Sequence, residues 1–157
     1  MTTPKEPGAA EAVERVLARL AARTPELDRL DDEIGRLIVR TEKALRALKI
    51  GMRLSVSTRR AHEDWSEYLA FDKVNGAWRL TVDGGPDESP DSWSTTPLSD
   101  CDRETRLAAF SDGLIERLLL TAADQLDEAI KERQMAIENG QAFVGAIEHA
   151  STRRGTP

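Results

Sequence analysis

At 157 residues, with 39% hydrophobic, 32% charged and only 4% aromatic content, the chain is long enough to bury one core and reads as a single helix-rich domain with much solvated surface. A net charge of −6 disfavours duplex DNA and anionic membranes as default partners, and the single cysteine excludes an internal disulfide or a multi-cysteine zinc site. Apolar runs such as Leu118, Leu119 and Leu120 fall far short of a membrane span.

Segment 1–9 carries Pro4 and Pro7 and no apolar run, so it is expected to be disordered and to contain no signal peptide, which points to the cytoplasm. The Arg-, Ala- and Leu-rich usage is that of a GC-rich bacterial genome. A single α+β domain is expected over 10–150, followed by a disordered tail over 151–157. Its first helix, over 10–23, places Val13, Val16, Leu17 and Leu20 on one face. Thr24 and Pro25 then read as an N-cap and first residue of a second helix over 25–50, because a helix start has no use for the missing proline N–H. Along it Leu27, Leu30, Ile34, Leu37, Thr41, Ala44 and Leu48 alternate three- and four-residue steps, as in a coiled-coil seam. Ile38 and Leu45 widen the stripe, favouring packing in a helical layer with a dimer seam as the competing arrangement. On that reading Leu30→Ala and Leu37→Ala would each cost roughly 2–5 kcal/mol.

The period then switches to two. Met52, Leu54 and Val56 alternate with polar residues, predicting a strand over 52–58. Asn75-Gly76 predicts a tight hairpin turn between strands over 65–74 and 77–83, since both central positions need positive φ. That register sets Asp72 opposite Arg79, Phe71 opposite Leu80, and Leu69 opposite Val82. Segment 84–99, with Gly84, Gly85, Pro86, Pro90 and Pro97, reads as a long loop with room for a short strand around Trp93. Ser99 or Asp100 is expected to cap a helix over 100–110. Ser111-Asp112-Gly113 should interrupt it before a helix over 114–138, which Asn139-Gly140 should stop, leaving a short helix over 141–149. The fold class is therefore α+β, with long amphipathic helices flanking a three-stranded antiparallel β-meander. The small meander needs helices against its apolar face.

No catalytic machinery is legible. His62, Glu63 and Asp64 are adjacent in a short connection, and neighbours there seldom converge on one centre. Cys101 opens a helix but is flanked by Asp100 and Asp102, which oppose thiolate formation. The acidic loop lacks calcium-ligand spacing, and Gly84-Gly85-Pro86 does not lead into a phosphate-binding helix start. No metal or cofactor is expected.

The candidate surfaces are three. Trp93, with Asp87, Glu88 and Asp91 beside it, is the best candidate for a partner interface, the competing reading being a lid folded onto the sheet. Arg36, Arg40, Lys43, Arg53, Arg59 and Arg60 form a basic stripe, which helix-dipole compensation also explains. Leu27, Leu30, Ile34, Leu37 and Leu48 make the packing or dimer seam. In size, charge and mix of elements the chain resembles bacterial secretion chaperones, without a shared motif. The leading expectation is a non-enzymatic protein-interaction module (adaptor, regulatory subunit or chaperone-like) that self-associates as a homodimer through its helices. The alternative is a nucleic-acid binder using the basic stripe.

Overall fold

The computed structural model describes residues 8–58, 60 and 62–153; of the ends expected to be disordered, 1–9 and 151–157, Ala9 and residues 151–153 are instead helical, and 1–7 and 154–157 lie outside the described residues. Helix α1 runs unbroken over Ala9–Ala47 with Pro25 inside it. The two helices expected on either side of Thr24 and Pro25 are thus one. Pro25 forfeits a single ladder hydrogen bond, whereas a break would orphan the end groups of two helices. Thr24 does not cap: its Oγ1 donates back to the Leu20 carbonyl at 2.9 Å. The helix ends three residues earlier than the expected Ile50, where Lys49 (φ 51°) and Gly51 (φ 71°) take left-handed backbone and reverse the chain.

Four strands follow: β1 (Leu54–Ser57), β2 (Trp65–Val74), β3 (Ala77–Pro86) and β4 (Ser94–Pro97), in the antiparallel order β1-β2-β3-β4. Asn75 (φ 50°) and Gly76 (φ 84°) form the hairpin turn, and Asp72↔Arg79, Phe71↔Leu80 and Leu69↔Val82 pair as the sequence predicts. The meander has four strands rather than three, because Gly84 and Gly85 are strand residues and not loop punctuation. A Cβ at Gly85 would lie 2.5 Å from Cδ1 of Trp93, and one at Gly84 would lie 3.1 Å from the Ser66 carbonyl oxygen. The glycines let Trp93 and β2 come close to β3.

Helix α2 (Arg103–Ser111) is capped by Asp102, whose side chain accepts from the Thr105 N–H at 2.7 Å; Ser99 and Asp100 instead stand in the 3-10 turn Leu98–Asp100. Gly113, at φ 66°, separates α2 from α3 (Leu114–Arg153). Helix α3 runs through Asn139-Gly140, so the expected stop and separate short helix are corrected to one continuous element. One interior glycine costs about 1 kcal/mol, less than two frayed ends among good helix formers such as Ala136, Glu138 and Ala142.

The core lies on one face of the sheet. Leu54, Val56, Leu69, Phe71 and Leu80 meet Ile38 and Leu45 of α1, Ala109 of α2, and Leu114 and Leu118 of α3. Helix side chains also close the sheet edges. The Gln125 amide donates to the Ser55 carbonyl at 3.1 Å and accepts from its N–H at 3.0 Å, while Arg117 donates to the Ser57 carbonyl at 3.1 Å. Beyond the reach of β4, buried Glu42 accepts from the Leu80 N–H at 3.0 Å, and Arg46 donates to the Trp78 carbonyl at 3.0 Å. These contacts satisfy backbone groups that would otherwise invite another strand. Among the described residues no helix is long and apolar enough to cross a membrane.

Candidate functional site

Each long helix packs against the sheet along only part of its length. In α1 the buried residues are Ile38, Glu42 and Leu45. Arg103 of α2 ties the helix down at Asp28 (2.9 Å) and Asp31 (3.1 Å). Every residue from Ala9 to Leu30 is exposed, and the stretch ahead of the Asp28 anchor is a free arm of about 29 Å at the helical rise. In α3 burial ends at Ala129, and 130–152 are exposed throughout. Both arms nevertheless carry apolar stripes. Val13, Val16, Leu17 and Leu20 mark the first, and Ile130, Ile137, Phe143, Val144 and Ile147 the second. Near the base of α3 an apolar groove of about 490 Å³ is lined by Phe110, Gly113, Ile115, Glu116, Leu119 and Leu120.

Of the seam residues only Ile34 packs against the core of this chain. Leu27 is 54% exposed, Leu30 45%, Leu37 38% and Leu48 62%; Ile34 is half-buried. The helix face turned to the sheet is the adjacent one, carrying Ile38 and Leu45, which the sequence reading took as mere widening. Large losses from Leu30→Ala and Leu37→Ala are therefore not expected from packing within one chain.

Trp93 folds back onto the sheet. Its ring stacks on Tyr68 at 5.9 Å and its Nε1 donates to the Pro86 carbonyl at 2.9 Å, leaving Asp87, Glu88 and Asp91 exposed beside it. The basic stripe is spread over several elements. Arg36, Arg40 and Lys43 are exposed on α1, but Arg53 pairs with Asp72 (3.2 Å) and Asp83 (2.8 Å). Arg60 donates to Thr105 Oγ1 at 2.8 Å, and Arg59 lies outside the described residues.

His62 and Trp65 exchange backbone hydrogen bonds across a tight turn, at 2.8 and 3.0 Å, with the His62, Glu63 and Asp64 side chains exposed. Among the described residues no group of His, Cys, Asp and Glu is arranged to hold a metal ion. Burial, reinforced by Asp102 and Asp100, pushes the Cys101 thiol up to about 11, which keeps it protonated and a poor nucleophile at neutral pH. Hydrogen bonds from the Thr105 N–H and hydroxyl hold the Asp102 carboxyl below the usual range, as its capping role requires. Between sheet and α2, a cavity of about 30 Å³ lined by Thr58, Glu67, Leu69 and Leu98 has room for a water and little more.

Sequence reasoning missed the residues that close the sheet edges, Glu42 and Gln125 among them. Glu42 and Gln125 look like ordinary helix-surface residues, and no local signal marks them. The free arms did leave a signal: Val13, Leu20 and Leu27 stand seven residues apart, in one phase through Pro25. No protein-family model, curated protein or solved structure matches this chain.

Proposed function

We propose that this chain is a non-enzymatic protein-interaction module of the cytoplasm, engaging partners, copies of itself included, through its two helical arms. One observation carries the reading: the apolar stripes of Ala9–Leu30 and of 130–152 have no cover among the described residues, with Leu20 at 58% and Phe143 at 68% exposure. Large apolar side chains repeated at helical spacing on a free surface mark interaction sites. Most helical stability in proteins comes from packing of an amphipathic face rather than from propensity. Adaptor, regulatory-subunit and chaperone-like roles all use such surfaces, and the folded-back Trp93 leaves the arms as the stronger candidate.

Capture from host lysate by wild-type protein and by arm variants, Leu20→Asp with Leu27→Asp and Phe143→Asp with Ile147→Asp, tests it. Each sample is run with and without nuclease and compared by mass spectrometry. The expected result is one or more stoichiometric proteins lost specifically with an arm variant whose thermal midpoint is unchanged. Capture indifferent to both variants, or only nuclease-sensitive recovery dependent on Arg36, Arg40 and Lys43, would overturn the reading.

A further inference from the structure

The free half of α1 carries a heptad phase. With Val13 at heptad position a, Leu20 and Leu27 also fall at a, and Val16, Arg23 and Leu30 at d. Pro25 falls at f, on the side opposite the seam, so its ring and missing donor leave the seam intact. Further along, the helix meets its own body through e positions, where Asp31 holds Arg103 and Ile38 and Leu45 enter the core, and through Glu42 at b and half-buried Ile34 at a. The a/d seam therefore lies beside the face the body uses, and on the arm it is bare.

We propose that the occupant is the same arm of a second copy of this chain, laid antiparallel. The inference deepens the interaction-module reading and rests on it. Charge selects the direction. In a parallel, in-register pair, the Arg23 side chains would face each other in the seam, and Glu26 at g would meet Asp31 of the other chain, which is acid against acid. The antiparallel pair removes both conflicts. Val13 then meets the second copy's Leu30, Val16 its Leu27, and Leu20 the aliphatic stem of its Arg23. The Arg23 guanidinium stays on Glu26 of its own chain, 2.6 Å away. On the flank, Arg19 faces Glu26 of the second copy, and the two-fold axis repeats that attractive pair. The body-side end of each arm, near Leu30, meets the outer end of the other near Val13, so the two bodies sit at opposite ends and do not collide.

Light scattering of the full chain over a range of concentrations, with charge-reversed and seam variants, tests the arrangement. Wild type is expected to dimerise and Leu27→Asp to be monomeric, with a thermal midpoint equal to that of wild type at concentrations too low for association. Arg19→Glu alone makes both flanking pairs acid–acid, and Glu26→Arg alone makes both basic. Each should weaken the dimer about tenfold. An equimolar mixture of the two variants should recover wild-type affinity as a heterodimer, because only the antiparallel pairing sets residue 19 against residue 26. A chain monomeric throughout, a dimer indifferent to Leu27→Asp, or a mixture no tighter than its components would overturn the proposal. A monomer whose partner capture is still arm-dependent would leave the broader interaction reading standing, so the two failures are distinguishable.

Discussion

The body and the arms of this protein are built from the same helices, and they differ in what faces them. At the start of α3, Leu114, Ile115 and Leu118 are buried against sheet and α2, whereas Ile137, Phe143 and Ile147 on the same helix are at least half exposed. Likewise Ile38 and Leu45 on α1 reach the core while Leu20 and Leu27 reach solvent. Amphipathic periodicity thus states which face of a helix is apolar and is silent on whether this chain or another covers it. The sheet is about ten residues long at its widest hairpin, roughly 33 Å of strand, while each helix extends about 60 Å. Two helices of that length outrun any sheet this chain can place beneath them.

The contrast can be broken most directly in the body. Leu80→Ala removes a fully buried side chain and should cost about 2–5 kcal/mol in denaturant unfolding. A loss under 1 kcal/mol would place the core elsewhere. Gly85→Ala comes next, since its new methyl must displace Trp93. A loss of about 1–3 kcal/mol, with altered tryptophan fluorescence as Trp93 leaves Tyr68, is the expected outcome. Gln125→Ala strips both partners from the Ser55 backbone at a cost of about 0.5–1.5 kcal/mol. Because it also reopens the β1 edge, faster aggregation at raised concentration should accompany it.

Smaller effects sharpen the comparison further. The Cys101 thiol, raised from 9.0 to about 11, should alkylate far more slowly at pH 8 than a free cysteine. Because the folded value lies above the unfolded one, its contribution to stability is full below pH 9 and is lost as pH rises towards 11. Rapid alkylation at pH 8 in the native state would show the site to be open. Last, Leu27→Ala in the arm should leave unfolding of the isolated monomer within about 0.5 kcal/mol of wild type, measured at concentrations too low for association.

Legibility in the sequence followed how local the deciding physics was. The hairpin was readable because Asn75-Gly76 and the flanking alternation agree on one register, and both act within a few residues. Pro25 and Asn139-Gly140 misled because a local stop signal competes with a cooperative ladder, and in two long helices the ladder wins. Gly84 and Gly85 misled for the opposite reason: their role depends on Trp93 and Ser66, which are near only after folding. As for the candidate surfaces, the apolar seam was legible as a pattern and its exposure was not, because exposure depends on where the sheet ends.

The sequence by itself determined an α+β chain with apolar-striped helices, a defined hairpin register, and no recognisable catalytic or metal-binding motif. These follow from periodicity, turn chemistry and residue inventory, all of which act over short stretches of chain. Only the tertiary structure decided that β4 joins the sheet, that Trp93 lies on Tyr68, that Glu42 and Gln125 close the sheet edges, and that the outer halves of α1 and α3 stand free. Those outcomes depend on contacts between residues far apart in sequence, and no local pattern records which of its apolar faces a chain has enough partners to bury.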